Sequence, residues 1–294
     1  MSAKILDGRK FSSEIRDELK VEMARLKERG IIPGLAGILV GNNPDSATYI
    51  GLKRKACNDI GVAEMMCHLP ATTTEQNLLA NIQRLNENPK AHGIFIQLPL
   101  PEHLSEQKAL TAILPEKDID GFHMLNVGKS WMGQQAFVPA AAIAMQEMLS
   151  RGGYSTQHKE IVIVNVDNMV GKPLASLLIQ DNNKARANVT LCYPDTPDLS
   201  SYTRRADILV VSVNKPGFIT ADMVKQGVIL LDFGANWVDD PVTKKRRIIG
   251  DVDINTIKEK AEAITPVPGG VGPMLVTILI SETIRAAKIA AGLD

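Results

Sequence analysis

The chain has 294 residues, enough for two domains or one large one, and its 45% hydrophobic content is ordinary for a protein with a core. Its 33 Lys and Arg residues equal its 33 Asp and Glu residues, so no net charge favours nucleic acid or a membrane surface. Cys57, Cys67 and Cys192 lie far apart, which argues against a disulfide framework or a zinc site and fits a reducing cytoplasm. The polar N-terminus does not resemble a signal peptide, and no apolar run approaches the roughly 18 residues of a membrane span.

The first half of the chain alternates the sequence patterns of helices and strands. Near the N-terminus, apolar residues recur at helical spacing, and farther on, short apolar runs bounded by Pro, Asn or Gly predict buried strands. The predicted elements are helices over 9–29, from Asp45 or Ser46 to Gly61, over 74–88 and over 104–114, and strands over 34–41, 65–69 and 93–98. This alternation predicts a parallel sheet covered on both faces.

A second series of strands begins near residue 160. Its predicted elements are strands over 161–164, 189–193, 207–213 and 228–233, with helical segments between them, a helix over 139–150 before them and a last helix over 272–291. The predicted fold class is therefore α/β, with two open α/β domains. Ligands of such folds bind in the crevice at the carboxyl ends of the strands, so candidate site residues are expected there.

One group of polar residues falls at such positions in the first half of the chain. Tyr49 and Lys53 are four residues apart on a predicted helix and share a face. Gln97 ends an apolar strand, and Asp118 and Asp120 lie in a loop. Each residue alone has an ordinary explanation, because helical lysines are usually solvated and loop carboxylates usually make turns. Their combination favours a ligand site.

The combination resembles the methylenetetrahydrofolate dehydrogenase/cyclohydrolase family. The segments that carry the resemblance occur in the family's order and spacing and cover nearly the whole chain. They are TYIGLKRKAC (48–57), GIFIQLPLP (93–101), PEKDIDGFH (115–123), MVGKP (169–173), GDV (250–252) and TPVPGGVGPM (265–274). Taken together, these motifs are highly specific.

The resemblance implies roles for the first group of residues. Lys53 matches the essential lysine of the family, and Gln97 matches the glutamine that tunes this lysine. Tyr49 resembles the tyrosine that packs on the folate near the reacting carbon. Asp120 matches the carboxylate that holds the pterin ring, whereas Asp118 is expected to be structural. Lys53, Gln97 and Tyr49 are thus the predicted catalytic residues, and Tyr49 and Asp120 also bind substrate.

The chemistry implied by the resemblance has two steps. A hydride leaves 5,10-methylenetetrahydrofolate for a nicotinamide, and water then opens the methenyl cation to 10-formyltetrahydrofolate. The second step requires proton transfer, which Lys53 can perform if its pKa is lowered toward working pH. The segment around Pro268, Gly269 and Gly270 resembles the loop that borders folate and nicotinamide. Glycine there allows the backbone to approach a flat ring, and proline keeps the loop stiff.

The dinucleotide loop, residues 165–171, departs from the family pattern G-R-S-x-x-V-G. Asn165 replaces the first glycine, Val166 the arginine and Asp167 the serine, whereas Gly171 is retained. Arginine is the usual partner of the 2′-phosphate of NADP, while valine offers no donor and Asp167 repels a phosphate.

Two further departures lie in the second half of the chain. Asn214 stands where the family has glycine, and Asp195 lies where an acid accepts from the ribose hydroxyl of NAD or merely makes a turn. The predicted cofactor is NADP or NAD, or none. We therefore expect methenyltetrahydrofolate cyclohydrolase activity with NADP-dependent oxidation weak or lost. The alternatives are a fully bifunctional enzyme using NADP or NAD, and a non-catalytic folate-binding or recruited relative.

The resemblance also implies the domain organisation. Residues 1–139 and the helix 275–294 form a folate-binding catalytic domain, and residues 140–274 form a Rossmann-like dinucleotide-binding domain, with the active site in the cleft between them. The expected partners are tetrahydrofolate derivatives and a second copy in a cytoplasmic homodimer. No nucleic acid, membrane or metal is predicted, since the five histidines form no ligand-spaced cluster.

Overall fold

The computed structural model describes residues 3–239 and 246–293, without the side chains of residues 44, 45 and 47. The helices are α1 Gly8–Glu28, α2 Pro44–Ile60, α3 Glu75–Glu87, α4 Glu106–Ala112, α5 Met124–Trp131, α6 Ala140–Gly152, α7 Gly171–Leu178, α8 Leu199–Thr203, α9 Ile254–Ile257 and α10 Gly272–Ala290. The strands are β1 Lys4–Ile5, β2 Gly34–Val40, β3 Ala63–Leu69, β4 Gly93–Ile96, β5 Glu160–Val164, β6 Asn188–Cys192, β7 Ile208–Val211, β8 Ile229–Asp232, β9 Asn236–Asp239, β10 Arg246–Ile249 and β11 Ala263–Ile264.

The chain separates into two compact units. The six-stranded unit comprises Met1–Ser12 and Ala141–Leu275, and the three-stranded unit comprises Ser13–Ala140 and Val276–Asp294. Each unit is named after its parallel sheet.

The sheet of the three-stranded unit has the order β3-β2-β4, and all of its pairings are parallel. Every residue of the central strand β2 is buried, which is expected of an apolar run in a sheet covered on both faces. Side chains from β2 and β4 pack with those of α3 and α4 in one core cluster. Thr74 and Ser105 cap these two helices, because their hydroxyls accept from Asn77 N and Lys108 N.

The sheet of the six-stranded unit has the order β1-β11-β8-β7-β5-β6, again with parallel pairings. The strands β7 and β8 are buried throughout, and their side chains join a core cluster with those of β5 and β11. The predicted α/β class with parallel sheets is confirmed, and the strand order fits a Rossmann-like domain.

Several elements differ from the sequence prediction. The segment 1–12 was predicted to belong with the first domain, but Lys4 and Ile5 pair with β11 in the six-stranded sheet. A two-residue strand carries no periodicity that sequence reasoning can use. The antiparallel pairing of β9 and β10 was not predicted either, because neither four-residue strand shows an alternation of polar and apolar residues. The predicted helix cap at Asp45 lies outside the described side chains.

Within residues 3–239 and 246–293, no helix is both long and apolar enough to cross a membrane. The same residues contain no group of three or more His, Cys, Asp or Glu side chains placed to hold a metal ion.

Candidate functional site

Lys53 is held by two neutral partners in the three-stranded unit. Its Nζ donates to Gln97 Oε1 at 3.1 Å and lies 3.7 Å from the centroid of the Phe95 ring. The lysine side chain is half-buried, and the Phe95 ring is fully buried. An amide oxygen and an aromatic face both attract an ammonium group without neutralising it. We call Lys53, Phe95, Gln97 and Asp120 the lysine site.

The end of β4 fixes the partners of the lysine. Gln97 N donates to Ile38 O at 2.9 Å, and its side-chain Nε2 donates to Leu98 O at 3.0 Å, which leaves Oε1 for the lysine. Gly37 lies opposite Phe95 in the sheet, and a Cβ on Gly37 would stand 2.5 Å from Phe95 Cζ. A side chain at position 37 would therefore displace the ring that lies beneath the ammonium group.

The electrostatics of the lysine site lower one pKa and raise another. Burial lowers the pKa of Lys53, although the charge of Asp120 opposes this shift. Burial raises the pKa of Asp120 to about 6, with Lys53 acting against the shift and Asp118 adding to it. The site therefore contains an amine that deprotonates more readily than a free lysine, near a carboxyl group that ionises just below neutral pH.

Asp118 braces the loop that carries Asp120. Its Oδ2 accepts from His123 N at 2.8 Å and from Asn126 Nδ2 at 3.0 Å, which joins the loop to the start of α5. The residue is fully buried, burial raises its pKa, and its Oδ1 has no hydrogen-bond partner within residues 3–239 and 246–293. These contacts are those of a positioning residue, as expected for Asp118.

Tyr49 lies one helical turn before Lys53 on α2 and is 54% exposed. A ring that remains this accessible beside a half-buried lysine can stack on a flat ligand. The neighbouring Arg54 is paired with Glu64. Its Nε donates to both carboxylate oxygens, at 3.0 and 3.1 Å.

The proline–glycine segment lies in the six-stranded unit and packs against the start of α1. Gly8 N donates to Gly269 O at 2.9 Å, and Gly270 N donates to Pro266 O at 2.7 Å. A Cβ on Gly8 would stand 1.8 Å from Gly270 O, and Gly269 has a φ of +116°. These glycines are therefore required by contacts within the chain itself, which was not foreseen. Pro268 is exposed.

Side chains of the dinucleotide loop bind the loop's own backbone. Asp167 Oδ1 accepts from Met169 N at 2.9 Å and from Val170 N at 2.7 Å. Asn165 Oδ1 accepts from Asp167 N at 2.8 Å and from Gly171 N at 3.0 Å. The substitutions seen in the sequence thus form a closed network at the start of α7.

The same network is anchored to the neighbouring strand. Asn165 Nδ2 donates to Ser212 O at 2.8 Å and to Asp167 Oδ2 at 2.9 Å. A Cβ on Gly171 would stand 2.2 Å from Asn165 O, so glycine is required there. Val166 is half-buried and offers no polar side-chain atom.

Asp251 holds the loop that follows β7, a role that sequence reasoning missed. Its carboxylate accepts from three successive backbone groups: Val213 N at 2.6 Å, Asn214 N at 3.1 Å and Lys215 N at 2.8 Å. Asn214 has a φ of +53°, a conformation that asparagine tolerates better than most residues.

A second buried carboxylate supports Asp251. Asp232 accepts from Asp251 N and Val252 N, both at 3.0 Å, and burial together with the Asp251 charge raises its pKa to about 7. A Cβ on Gly250 would stand 1.8 Å from Asp232 Oδ2, and one on Gly234 would stand 2.2 Å from Asp251 Cγ. The G-D-V motif is thus the point where two buried carboxylates approach the backbone.

Comparison with known proteins agrees with this architecture. The family model for the catalytic domain of tetrahydrofolate dehydrogenase/cyclohydrolase matches residues 6–120, and the model for its NAD(P)-binding domain matches residues 139–291. The chain belongs to this family. The predicted resemblance is therefore confirmed.

Full-length relatives belong to the same family. The bifunctional protein FolD of Syntrophus aciditrophicus is 47% identical over 293 residues and covers 100% of both chains. That of Halalkalibacterium halodurans is 46% identical and covers 98% of this chain and 100% of its own.

Solved structures of relatives share the fold over almost the whole chain. The FolD methylenetetrahydrofolate dehydrogenase/cyclohydrolase of Campylobacter jejuni has a TM-score of 0.92 at 40% identity, covering 98% of this chain and 99% of its own. The Trypanosoma brucei enzyme, solved with NADP and an inhibitor, has a TM-score of 0.91 at 36% identity and covers 99% of each chain.

Proposed function

We propose that this chain is a bifunctional enzyme of folate one-carbon metabolism. It oxidises 5,10-methylenetetrahydrofolate with a nicotinamide dinucleotide and hydrolyses 5,10-methenyltetrahydrofolate to 10-formyltetrahydrofolate. The observation that carries the proposal is the lysine site. There Lys53 donates to Gln97 and lies over Phe95, and the charge of Asp120 acts on its pKa. Relatives that match the whole chain are named as bifunctional proteins. This favours the bifunctional alternative over the expectation that NADP-dependent oxidation is weak or lost.

The lysine site suits the hydrolytic step. Attack of water on the cationic methenyl carbon releases a proton, and a neutral amine can accept it. Burial lowers the pKa of Lys53, so a larger fraction of the amine is neutral at working pH than in a solvated lysine. Gln97 Oε1 orients the amine without adding a charge that would restore the ordinary pKa.

Two further residues suit the folate itself. Above its pKa of about 6, Asp120 is ionised and can accept parallel N–H bonds from the amino-pyrimidine edge of a pterin. Tyr49 offers an exposed aromatic face one turn from Lys53. The assignment of Pro268, Gly269 and Gly270 to substrate binding stays a prediction.

The oxidative step is assigned to the dinucleotide loop and Asn214. A bound nicotinamide supplies the hydride acceptor. Asn165, Asp167 and Gly171 shape the start of α7, where dinucleotides bind in Rossmann-like domains, and Val166 lines the same turn. Asp251 holds the backbone of Asn214 in place. The predicted homodimer through this domain stays a prediction.

The proposal is tested with two spectrophotometric assays on one preparation. Loss of methenyltetrahydrofolate is followed without nicotinamide, and reduction of NAD and of NADP is followed with methylenetetrahydrofolate. We expect both activities in the natural protein and a loss of about 100-fold or more in methenyl hydrolysis for Lys53→Met. Lys55→Met is the matched control, because Lys55 is exposed on the same helix. Unchanged hydrolysis in Lys53→Met would contradict the role of the lysine.

A second candidate is a cyclohydrolase without oxidative activity. It is favoured by the dinucleotide loop, in which Asp167 already occupies two N–H groups at the start of α7. Methenyl hydrolysis with no reduction of NAD or NADP would support this candidate.

A further inference from the structure

A cavity of about 920 Å³ lies in the three-stranded unit, at the amino ends of its strands. Its lining includes Ala63 at the start of β3 and His92, which directly precedes β4. The lysine site lies at the other end of this sheet, where Gln97 follows β4, and the seven-residue strand β2 spans roughly 20 Å between the two ends. None of the described residues that line the cavity belongs to the lysine site.

Most of the cavity wall is apolar. Ile31 and Ile32 follow α1, Met65 lies in β3, and Ala286 and Ala290 lie in α10. Ile32 is 57% exposed, although it is a large apolar side chain. A concave apolar wall of this size on which a few polar groups converge is the usual form of a small-molecule site. The polar groups therefore decide which class of molecule fits.

His92 supplies a hydrogen-bond donor to the cavity. Its Nδ1 accepts from Gly34 N at 3.0 Å, so the proton of the neutral ring is on Nε2. Burial and the charge of Lys117 lower the pKa of His92, which keeps the ring neutral near pH 7. Within residues 3–239 and 246–293, Nε2 has no hydrogen-bond partner. The half-buried ring thus lines the cavity with an unused N–H group.

The charges that line the cavity favour an anion. Lys117 Nζ donates to Asn86 O at 2.7 Å and to Asn88 O at 2.9 Å, so it acts on a ligand mainly through its charge. Lys90 is exposed, and no described residue accepts from its ammonium group. Glu116 is the opposing charge, and it is exposed and acts on the pKa of Lys117. Two ammonium groups and the histidine N–H therefore outweigh one carboxylate.

We propose that this cavity binds a small amphipathic anion, a molecule with an apolar body and one carboxylate head. The head accepts from His92 Nε2 and lies near the ammonium group of Lys90, and the body packs against Ile31, Met65 and Ala290. The inference does not depend on the proposed function, because it uses no residue of the lysine site or of the dinucleotide loop.

The test compares three probes that share one apolar chain and differ in charge. Isothermal titration calorimetry is performed near pH 7 with octanoate, octanol and octylammonium, each below the concentration at which it aggregates. We expect saturable binding of octanoate, at least about tenfold tighter than binding of octylammonium, because the two lysines attract a carboxylate and repel an ammonium group. The affinity for octanol is expected to lie between these two.

Three variants assign the binding to the cavity. Ala290→Trp fills the cavity from an exposed position on α10, so it should abolish binding of octanoate. His92→Asn keeps an acceptor for Gly34 N but removes the Nε2–H group, so the affinity for octanoate should fall about fivefold. Lys90→Met should lower it about threefold. Lys55→Met is the matched control, because Lys55 is exposed on α2 and does not line the cavity. Melting curves confirm that each variant is folded.

Several outcomes would overturn the inference. The first is a natural protein that binds no octanoate, or binds it no more tightly than octylammonium. Octanoate binding that Ala290→Trp leaves unchanged would lie elsewhere in the protein. Self-association in sedimentation velocity that Ala290→Trp weakens, with no binding of any probe, would make the cavity a contact between copies of the chain. Unchanged octanoate affinity in both His92→Asn and Lys90→Met would overturn the recognition of the carboxylate head.

Discussion

The lysine site and the dinucleotide loop hold their polar groups in opposite ways. Lys53 contacts an amide oxygen and an aromatic ring, which keep a cation in place, and no described residue forms a direct ion pair with it. In the loop, the carboxylate of Asp167 is bound by backbone N–H groups of the same turn. The first arrangement leaves the functional group available for proton transfer, whereas the second ties its carboxylate to the backbone of its own turn.

This difference bears on how each region tolerates sequence change. The turn that contains Asn165 folds around this side chain, because its carboxamide oxygen accepts from two backbone N–H groups of the same turn. The lysine site has no such redundancy, since among the described residues Lys53 has one side-chain acceptor, Gln97, and one ring beneath it. Four predictions probe these two kinds of site, from the largest expected effect to the smallest.

The largest loss of stability is expected at Asp251, whose buried carboxylate accepts from three consecutive backbone N–H groups. Asp251→Asn replaces one carboxylate oxygen by an NH₂ group, which leaves two of the donors held by Asp251 unpaired or opposed. We expect the free energy of unfolding to fall by about 4 kcal/mol, since each buried unsatisfied donor costs about 1–3 kcal/mol. Urea denaturation measures the loss, with Asp181→Asn as an exposed control of the same unit. A loss as small as that of the control would show that the three N–H bonds contribute little.

The next prediction concerns the pH dependence of stability at Asp232. Its pKa is near 3.8 when unperturbed and is raised to about 7 in the folded protein. The folded state therefore binds more protons between these values, and the free energy of unfolding falls as pH rises from about 4 to about 7, by roughly 3 kcal/mol. Asp232→Asn should remove this decline. Denaturation at several pH values compares the slopes, and equal slopes in the two proteins would contradict the raised pKa.

A negative charge beside Lys53 should turn its neutral contact with residue 97 into an ion pair and raise the pKa of the lysine. Gln97→Glu puts a carboxylate in place of an amide oxygen that lies 3.1 Å from Lys53 Nζ. The pKa of Lys53 should rise, so methenyl hydrolysis near neutral pH should fall about 100-fold and recover at higher pH. The pH profile of hydrolysis is the measurement, and Gln97→Leu is the uncharged control. If hydrolysis by Gln97→Glu is slower but has the same pH dependence, residue 97 does not control the pKa of Lys53.

Sequence patterns predicted some of these contacts for physical reasons and missed others. Helical spacing and the strand end marked Lys53 and Gln97 as candidates, their combination with Tyr49 and Asp120 favoured a ligand site, and the structure brings the side chains of Lys53 and Gln97 together. Phe95 was missed because a buried aromatic in an apolar strand looks like ordinary core, although it lies two residues before Gln97 and so faces the same side. Asp251 was missed because the backbone groups that it holds after β7 lie more than thirty residues away along the chain. The hydrogen bonds between Asn165 and Asp167 were missed because comparing these residues with a family pattern gives their types but not their side-chain contacts.

The smallest predicted effect distinguishes the contribution of the Phe95 ring to the pKa of Lys53 from that of Gln97. Phe95→Leu keeps the core apolar but removes the aromatic face, which stabilises the cationic form of Lys53 by about 1–2 kcal/mol. The pKa of Lys53 should therefore fall, and the acidic limb of the hydrolysis profile should move by about one pH unit to lower pH, opposite to Gln97→Glu. Ile94→Leu in the same strand is the matched control for core packing, because Ile94 is also fully buried. A shift in Phe95→Leu but not in Ile94→Leu would assign the effect to the ring, whereas equal profiles would leave Gln97 as the only neutral partner that matters.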